Sequence, residues 1–457
     1  MKKLILLSSI LLILSGPLPA QEILTLEQCR QMALVQNKQI AAAARQSESA
    51  RHTAASYKAL FFPDFTLNGM GAYSTASGSL MFPGGNLPVF LPDAATGALQ
   101  PKGYAYFPGI DIQYDVDWAY TGGITVKQPL YMGGKIRAAH KMAVLGKDLS
   151  VLNERLTETE VMVQTDKAYI GMVKAQEIKK VAESYHATLS ELMRNIKSAY
   201  QHGMKPQNDV LKVQVKLNEA TLNVHKANNA LRLASMNLCH YIGKPLITSL
   251  QVDEDLPVIE DNILLQTEDI SLRPEYKMLH KQVELNRQQV KLSRSEMLPQ
   301  IGIQGNYSYL NGLNVNNQKF FDNASFTALL NVSIPLFHFG ERKHKVNAAK
   351  AKLQQSILEQ ADQNELMQLE LTQAANNLEE AFLECNLADT SLEQAEENRR
   401  ISAEQYKLGL ETLSDHLEAQ TLWQQAYQTK VEAHFQLYLE WVTYQKASGT
   451  LPMPVQK

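Results

Sequence analysis

Hydrophobic and polar positions alternate with a period of two in four stretches of this chain, and with a period near 3.5 in much longer ones. Ile301, Ile303, Tyr307 and Tyr309 alternate with Gly302, Gln304, Asn306 and Ser308, while Phe326, Ala328, Leu330, Val332 and Ile334 alternate with Thr327, Asn331 and Ser333. Earlier in the chain, Trp118, Tyr120, Ile124 and Val126 alternate with Ala119, Thr121, Thr125 and Lys127, and Phe65, Leu67 and Tyr73 do so less regularly. Each run predicts a strand of about ten residues, the length of a tilted bilayer-crossing strand. By pattern alone these runs suit the half-buried strands of a soluble sandwich equally well. Aromatic residues crowding the strand ends (Tyr73, Tyr104, Tyr106, Trp118, Tyr120, Tyr307 and Tyr309) weigh toward a membrane, where they form interfacial girdles. Four strands cannot close a barrel, and open edges are not tolerated in hydrocarbon, so strands of this kind in a membrane require several chains in one barrel.

The longer pattern is helical. From Lys135 to Gln201 there is no proline, and Leu145, Leu149, Leu152 and Leu156 step by fours and threes, as do Ile178, Ala182, Tyr185, Leu189, Leu192, Ile196 and Ala199. That is the spacing of a coiled-coil seam, and at 1.5 Å per residue the run predicts a rod of roughly 100 Å. A second run, Glu341 to Lys407, has neither proline nor glycine and carries its seam at Leu371, Ala375, Leu378, Phe382 and Cys385. Gly203 and Gly409 follow the rods, where a residue of positive φ closes a turn at low cost. Return helices then run to about Ile242 and from about Leu413 to Lys446.

The two halves correspond. Gln128-Pro129-Leu130-Tyr131-Met132-Gly133-Gly134 recurs as Ile334-Pro335-Leu336-Phe337-His338-Phe339-Gly340, and Tyr200-Gln201-His202-Gly203 as Tyr406-Lys407-Leu408-Gly409, both at an offset of 206. Such a fixed offset marks one unit used twice. Pro63 to Pro129 spans 66 residues whereas Pro299 to Pro335 spans 36, so the first copy carries an insertion. It falls in the Gly- and Pro-rich stretch Gly78 to Tyr114, which is expected to be a long exposed loop. The resulting organisation is a first repeat over 21–243 (strand hairpin about 64–128, helical hairpin about 135–242), a linker over 244–270, a second repeat over 271–449 (hairpins about 300–335 and 341–446) and a tail over 450–457. The linker is acidic, with Asp253, Glu254, Asp255, Glu260, Asp261, Glu268 and Asp269.

Met1-Lys2-Lys3, the apolar stretch Leu4 to Leu14 and the small-residue exit Gly16-Pro17-Leu18-Pro19-Ala20 predict a secretory signal peptide over 1–20. No cysteine stands at the exit, so the mature chain is expected to lack a lipid anchor. Of 457 residues, 44 are Lys or Arg and 47 Asp or Glu, a net charge of -3 that gives no bulk attraction for nucleic acid. Three cysteines, Cys29, Cys239 and Cys385, are too sparse for a disulfide scaffold and fall on helical seams as buried small hydrophobes. The histidines show no metal-ligand spacing, Gly133-Gly134-Lys135-Ile136 lacks the parts of a phosphate loop, and no Gly-x-Ser-x-Gly elbow is present. No catalytic residue, cofactor or metal is expected.

Signal peptide, paired repeat, short strand hairpins and rod-like helical hairpins in this order resemble the TolC-like outer membrane efflux protein family over nearly the whole mature chain. Leu24-Thr25-Leu26-Glu27-Gln28 with Ala33-Leu34 and Asn37 looks like its opening helix, and Leu272-Arg273-Pro274-Glu275 like the start of its second copy. Pro129 and Gly134, and Pro335 and Gly340, resemble its strand-to-helix transitions. The resemblance implies a mainly α, α+β fold. A homotrimer would form an outer membrane β-barrel with four strands per chain, 12 in total, continued by a periplasmic α-helical coiled-coil barrel. It implies passive export, with a periplasmic adaptor (membrane fusion) protein and an inner-membrane pump of the resistance-nodulation-division or ABC type as partners, outer membrane lipid around the strands, and no nucleic acid.

Two sites carry over. Asp415 and Glu418, one helical turn apart after the second tip, match the family's acidic periplasmic gate and in a trimer would make rings of three carboxylates; acids also favour a helix start for reasons of dipole alone. His416 between them departs from the apolar residue expected there. The tips His202-Gly203-Met204 and Leu408-Gly409-Leu410 resemble the glycine turns where adaptor tips dock. A periplasmic coiled-coil scaffold without a channel and a pump-independent porin are the alternatives.

Overall fold

Thr25 begins the first helix with a reciprocal cap: its hydroxyl accepts from the Gln28 amide at 3.3 Å and its own amide donates to the Gln28 side chain at 2.9 Å. The computed structural model describes residues 23–254, 259, 269–312, 314–319 and 321–452. The expected signal peptide, most acidic residues of the linker and the last tail residues lie outside them. In order the elements are β1 (Ile23–Leu24), α1 (Leu26–Gln36), α2 (Lys38–Ala59), β2 (Asp64–Phe82), β3 (Gly85–Pro92), β4 (Leu99–Phe107), β5 (Ile110–Met132), α3 (Lys135–Gln201) and α4 (Gln207–Tyr241). They continue with β6 (Gln251–Val252), α5 (Pro274–Ser295), β7 (Gln300–Asn311), β8 (Asn314–Val315), β9 (Gln318–Lys319), β10 (Asp322–Ser333), α6 (Glu341–Leu408) and α7 (Leu413–Ser448). Among the described residues no helix is long and apolar enough to cross a membrane.

The chain forms two compact units. The first, residues 1–52, 145–285 and 354–457, is mainly helical over its described residues. Its core joins Cys29 of α1, Tyr169, Ile170 and Val173 of α3, Leu238 and Cys239 of α4, and Val431 and Phe435 of α7. On α3, Ala182, Tyr185, Leu189 and Ile196 are buried, and on α6 Leu371, Leu378 and Cys385, so these seams pack within the chain. β1 pairs in parallel with β6, and the Tyr169 hydroxyl ties both down by donating to the carbonyls of Leu24 and Asp253. All three cysteines are free and buried.

A salt bridge sits in this core. Arg30 donates to both carboxylate oxygens of Asp166, at 2.8 and 2.7 Å, and Asp166 is fully inaccessible to solvent. Burial pulls Arg30 toward neutrality, but the Asp166 carboxylate outweighs it and holds the guanidinium protonated.

The second unit, residues 53–144 and 286–353, is built on an antiparallel sheet in the order β10-β7-β5-β2, with β8 beside β5 and β9 paired to β8. Its strands differ from the expected ten residues: β7 and β10 have 12 each, but β2 has 19 and β5 has 23. The stretch Gly78 to Tyr114, expected as a loop, is instead largely strand. β2 and β5 stay paired to Phe82↔Ile110, and β3 and β4 form a further hairpin from Gly85↔Phe107 to Pro92↔Leu99. Its prolines misled the sequence reading because a two-stranded ribbon has an outer edge on each strand, where a missing N–H costs no ladder bond.

The sheet is turned inside out relative to a soluble one. Phe65, Leu67 (80% exposed), Trp118, Ile124, Phe326 and Leu330 all face outward. The polar positions between them bond to one another: Asn68 Nδ2 donates to Thr125 Oγ1 at 3.3 Å, and Thr125 Oγ1 donates to Asn306 Oδ1 at 3.1 Å. Thr125 is only 8% exposed. Among the described residues, β2 and β10 each pair on one side alone.

Candidate functional site: the helical tips

Both helical hairpins turn by the same two bonds. At the first tip the Gly203 amide donates to the Tyr200 carbonyl at 2.9 Å and the Met204 amide to Ala199 at 2.9 Å. At the second, Gly409 donates to Tyr406 at 3.2 Å and Leu410 to Gln405 at 2.9 Å. Gly203 has φ 74° and Gly409 φ 76°, the left-handed conformation that closes a helix C-terminus and that a Cβ would strain. No heavy atom lies within 4 Å of where either Cβ would stand, so the requirement is one of backbone angle rather than space.

The return helices start differently. Pro206 caps α4 without a side-chain bond. Thr412 caps α7: its Oγ1 accepts from the Asp415 amide at 3.3 Å and donates to Asp415 Oδ2 at 2.6 Å. Asp415 therefore serves the helix start, while its carboxylate remains exposed, as does that of Glu418 one turn on. The structure brings the two acids onto one exposed face of one chain.

The tips also touch each other. Lys205 Nζ stands 5.1 Å from the centre of the Tyr406 ring, and Lys212 Nζ donates to Ser414 Oγ at 2.8 Å, beside the acidic pair. Leu413 and Leu417 pack with Tyr185, Leu189 and Val213 in one cluster. His416, which the sequence marked as out of place, is buried; its ring stacks on Tyr406 at 4.9 Å with 7° between planes and meets Ser402 Oγ at 3.3 Å. It thus does the packing of the apolar residue expected there, and burial lowers its pKa against the opposing pull of Glu411. Sequence reasoning missed Tyr406 and Ser402 as its partners; the aromatic of the Tyr-x-x-Gly repeat was the available signal. Around the turns, Met204, Leu408 and Leu410 expose their apolar side chains, and His202 bonds back to the Ser198 carbonyl at 2.8 Å.

The strand-to-helix transitions obey a shared geometry as well. Gly133 and Gly134 have φ 59° and 85°, and their counterparts Phe339 and Gly340 have φ 44° and 84°. A Cβ on Gly133 would lie 2.7 Å from the Ser295 carbonyl oxygen and 2.8 Å from Leu298 Cβ, whereas Phe339 is 92% exposed. Crowding therefore demands glycine in the first copy and not in the second. Pro129 sits inside β5 where its register with β7 shifts, and Pro335 follows the end of β10.

A family model described as "Outer membrane efflux protein" matches residues 29–244 and 268–450. The Campylobacter jejuni CmeC outer membrane channel superposes with TM-score 0.77 at 18% identity, covering 94% of this chain and 87% of that one. The outer membrane protein VceC of Vibrio cholerae gives 0.74 at 14%, covering 93% and 96%. The open-state MtrE outer membrane channel of Neisseria gonorrhoeae gives 0.72 at 17%, covering 94% and 91%. In sequence, the alkaline protease secretion protein AprF of Pseudomonas aeruginosa is 22% identical over 255 residues, 54% of this chain and about half (52%) of AprF.

Proposed function

The chain belongs to the outer membrane efflux protein family, and on that premise we propose that it is the outer membrane channel of a tripartite efflux or type I secretion system. Three copies share a 12-stranded barrel in outer membrane lipid, and their helices form a periplasmic tunnel. Substrates delivered by an inner-membrane pump, of the resistance-nodulation-division or ABC type, pass a periplasmic adaptor and cross passively to the exterior.

The observation that carries this reading is the inverted sheet with its two half-paired edges. Phe65, Leu67, Phe326 and Leu330 have no water-facing rationale in a soluble protein, but lipid is a suitable solvent for them. Lipid in turn forbids the open sides of β2 and β10, which neighbouring copies of the chain would pair. A periplasmic scaffold leaves the outward apolar faces without a solvent. Exposed leucines on the helices (Leu358, Leu369, Leu383 and Leu387) suit contacts between copies in the tunnel.

At the tunnel's end, Asp415 and Glu418 of three chains make two carboxylate rings, a cation-selective constriction. Met204, Leu408 and Leu410 offer the adaptor an apolar landing around Gly203 and Gly409. A photocrosslinker at Leu410 in living cells tests this partner: capture of a periplasmic adaptor is expected. Self-crosslinks alone, at normal protein levels, would favour the pump-independent porin.

A further inference from the structure

Cys385 and Asp389 stand one turn apart on α6 and converge on His434 of α7, in the middle of the second helical hairpin and away from the tip. The Cys385 sulfur, a carboxylate oxygen of Asp389 and a ring nitrogen of His434 all lie within 4.8 Å of one another. His434 Nε2 is 3.0 Å from Asp389 Oδ1 and 3.2 Å from Oδ2. Two of the three side chains, Cys385 and His434, line a cavity of about 450 Å³ together with Tyr427, Lys430 and Tyr438. We infer that this cluster is a metal site for a divalent cation of borderline softness, of the zinc class, held between α6 and α7.

The donor set fits that ion. Zinc takes thiolate, imidazole and carboxylate together, and three protein ligands leave a fourth tetrahedral position, here toward the cavity. With bonds of about 2.0–2.3 Å, ligand atoms on one zinc lie roughly 3.3–3.8 Å apart, so the cluster closes by side-chain rotation alone. The i, i+4 spacing of Cys385 and Asp389 places both on one face of α6, and α7 supplies the third ligand from the opposite side. Lys430 Nζ, 3.0 Å from Asp389 Oδ1, is the carboxylate's countercharge in the metal-free protein, and an arriving cation takes over that role. Coordination converts the Cys385 thiol to thiolate, its proton leaving to solvent. The sequence hides the site because its third member lies 45 residues beyond Asp389, so no local spacing announces it.

The test is a titration of the full-length protein, purified in detergent, with cobalt(II) as the spectroscopic stand-in. The wild type is expected to develop a near-ultraviolet thiolate-to-cobalt band and intense tetrahedral visible bands, both displaced by zinc. Cys385→Ser abolishes the near-ultraviolet band, and His434→Ala weakens binding. Asp389→Asn, which keeps the side-chain shape, weakens cobalt binding more than about tenfold, with helical circular dichroism unchanged. No thiolate band in the wild type, or an undiminished band in Cys385→Ser, from Cys29 or Cys239, would overturn the assignment.

Discussion

The helical unit and the strand unit follow opposite rules for the same residue types. In the helical unit Tyr169, Leu189 and Leu378 are hidden, and the charges drawn inside, Arg30 and Asp166, are fully paired. In the strand unit Leu67 and Phe326 point outward, and Asn68, Thr125 and Asn306 satisfy one another on the other face. The first is the arrangement water enforces, by rejecting apolar surface and charging heavily for an unpaired buried ion. The second is the arrangement lipid enforces, where outward apolar surface costs nothing and polar groups must find partners inside the protein. One chain therefore carries two solvents' rules, and on the proposed reading the difference between its units marks where each solvent lies.

Substitutions that obey one rule and break the other sharpen this contrast. The largest effect is expected in the helical core. Arg30→Met strands the Asp166 carboxylate without a partner and lowers stability by about 3–5 kcal/mol, whereas Arg30→Met with Asp166→Leu recovers most of that loss. Thermal melts followed by helical circular dichroism measure both; equal losses would mean that the pair is not the source.

Next comes the strand face. If Leu67 and Phe326 meet lipid, Leu67→Lys or Phe326→Lys costs about 2–4 kcal/mol near the bilayer midplane. In water, an exposed substitution of this kind stays within about 0.5 kcal/mol. Urea titration of the protein folded into lipid vesicles separates the two, and a near-zero change would break the comparison.

Smaller again is the strand-to-helix transition within the second unit. Gly133→Ala meets the Ser295 carbonyl and a left-handed backbone, and is expected to cost about 1–3 kcal/mol. Phe339→Gly, at the open equivalent, is expected to stay within about 1 kcal/mol. Parity between them in the same melts would contradict the role assigned to crowding.

The smallest effect concerns pH at the second tip. Burial depresses the pKa of His416, so the unfolded chain takes up this proton before the folded one does. The tip keeps its full stability above the ordinary histidine value, near 6.5, and loses it as pH falls below that value toward the lowered folded pKa. Protection factors over residues 402–420, after division by the slower intrinsic exchange at low pH, should therefore fall on acidification, and His416→Phe should remove that dependence.

Much of this was legible in the sequence, because periodicity reports packing directly. The change from period two to period 3.5 after Pro129 and Pro335 separates strand from rod, and glycines with fixed spacing from Tyr200 and Tyr406 mark the turns. The inverted face was ambiguous, since alternation shows that two faces differ without showing which solvent each meets; the bonds among Asn68, Thr125 and Asn306 show only which face satisfies its polar groups within the chain. The ribbon of β3 and β4 was hidden by Pro88, Pro92 and Pro101, which deny a central strand but permit an edge. The Arg30–Asp166 pair spans 136 residues, beyond any local pattern. At the tip, Asp415 and Glu418 were readable as neighbours from their spacing, but the burial of His416 depended on Tyr406 across the turn.

The most direct test of the whole account is electrical. Purified protein in planar lipid bilayers is expected to give discrete conductance steps, small at rest, with Asp415→Ala plus Glu418→Ala enlarging the steps and weakening block by multivalent cations. An absence of steps from protein that is folded and inserted would contradict a channel, and steps unchanged in size and block by the double substitution would contradict the acidic constriction.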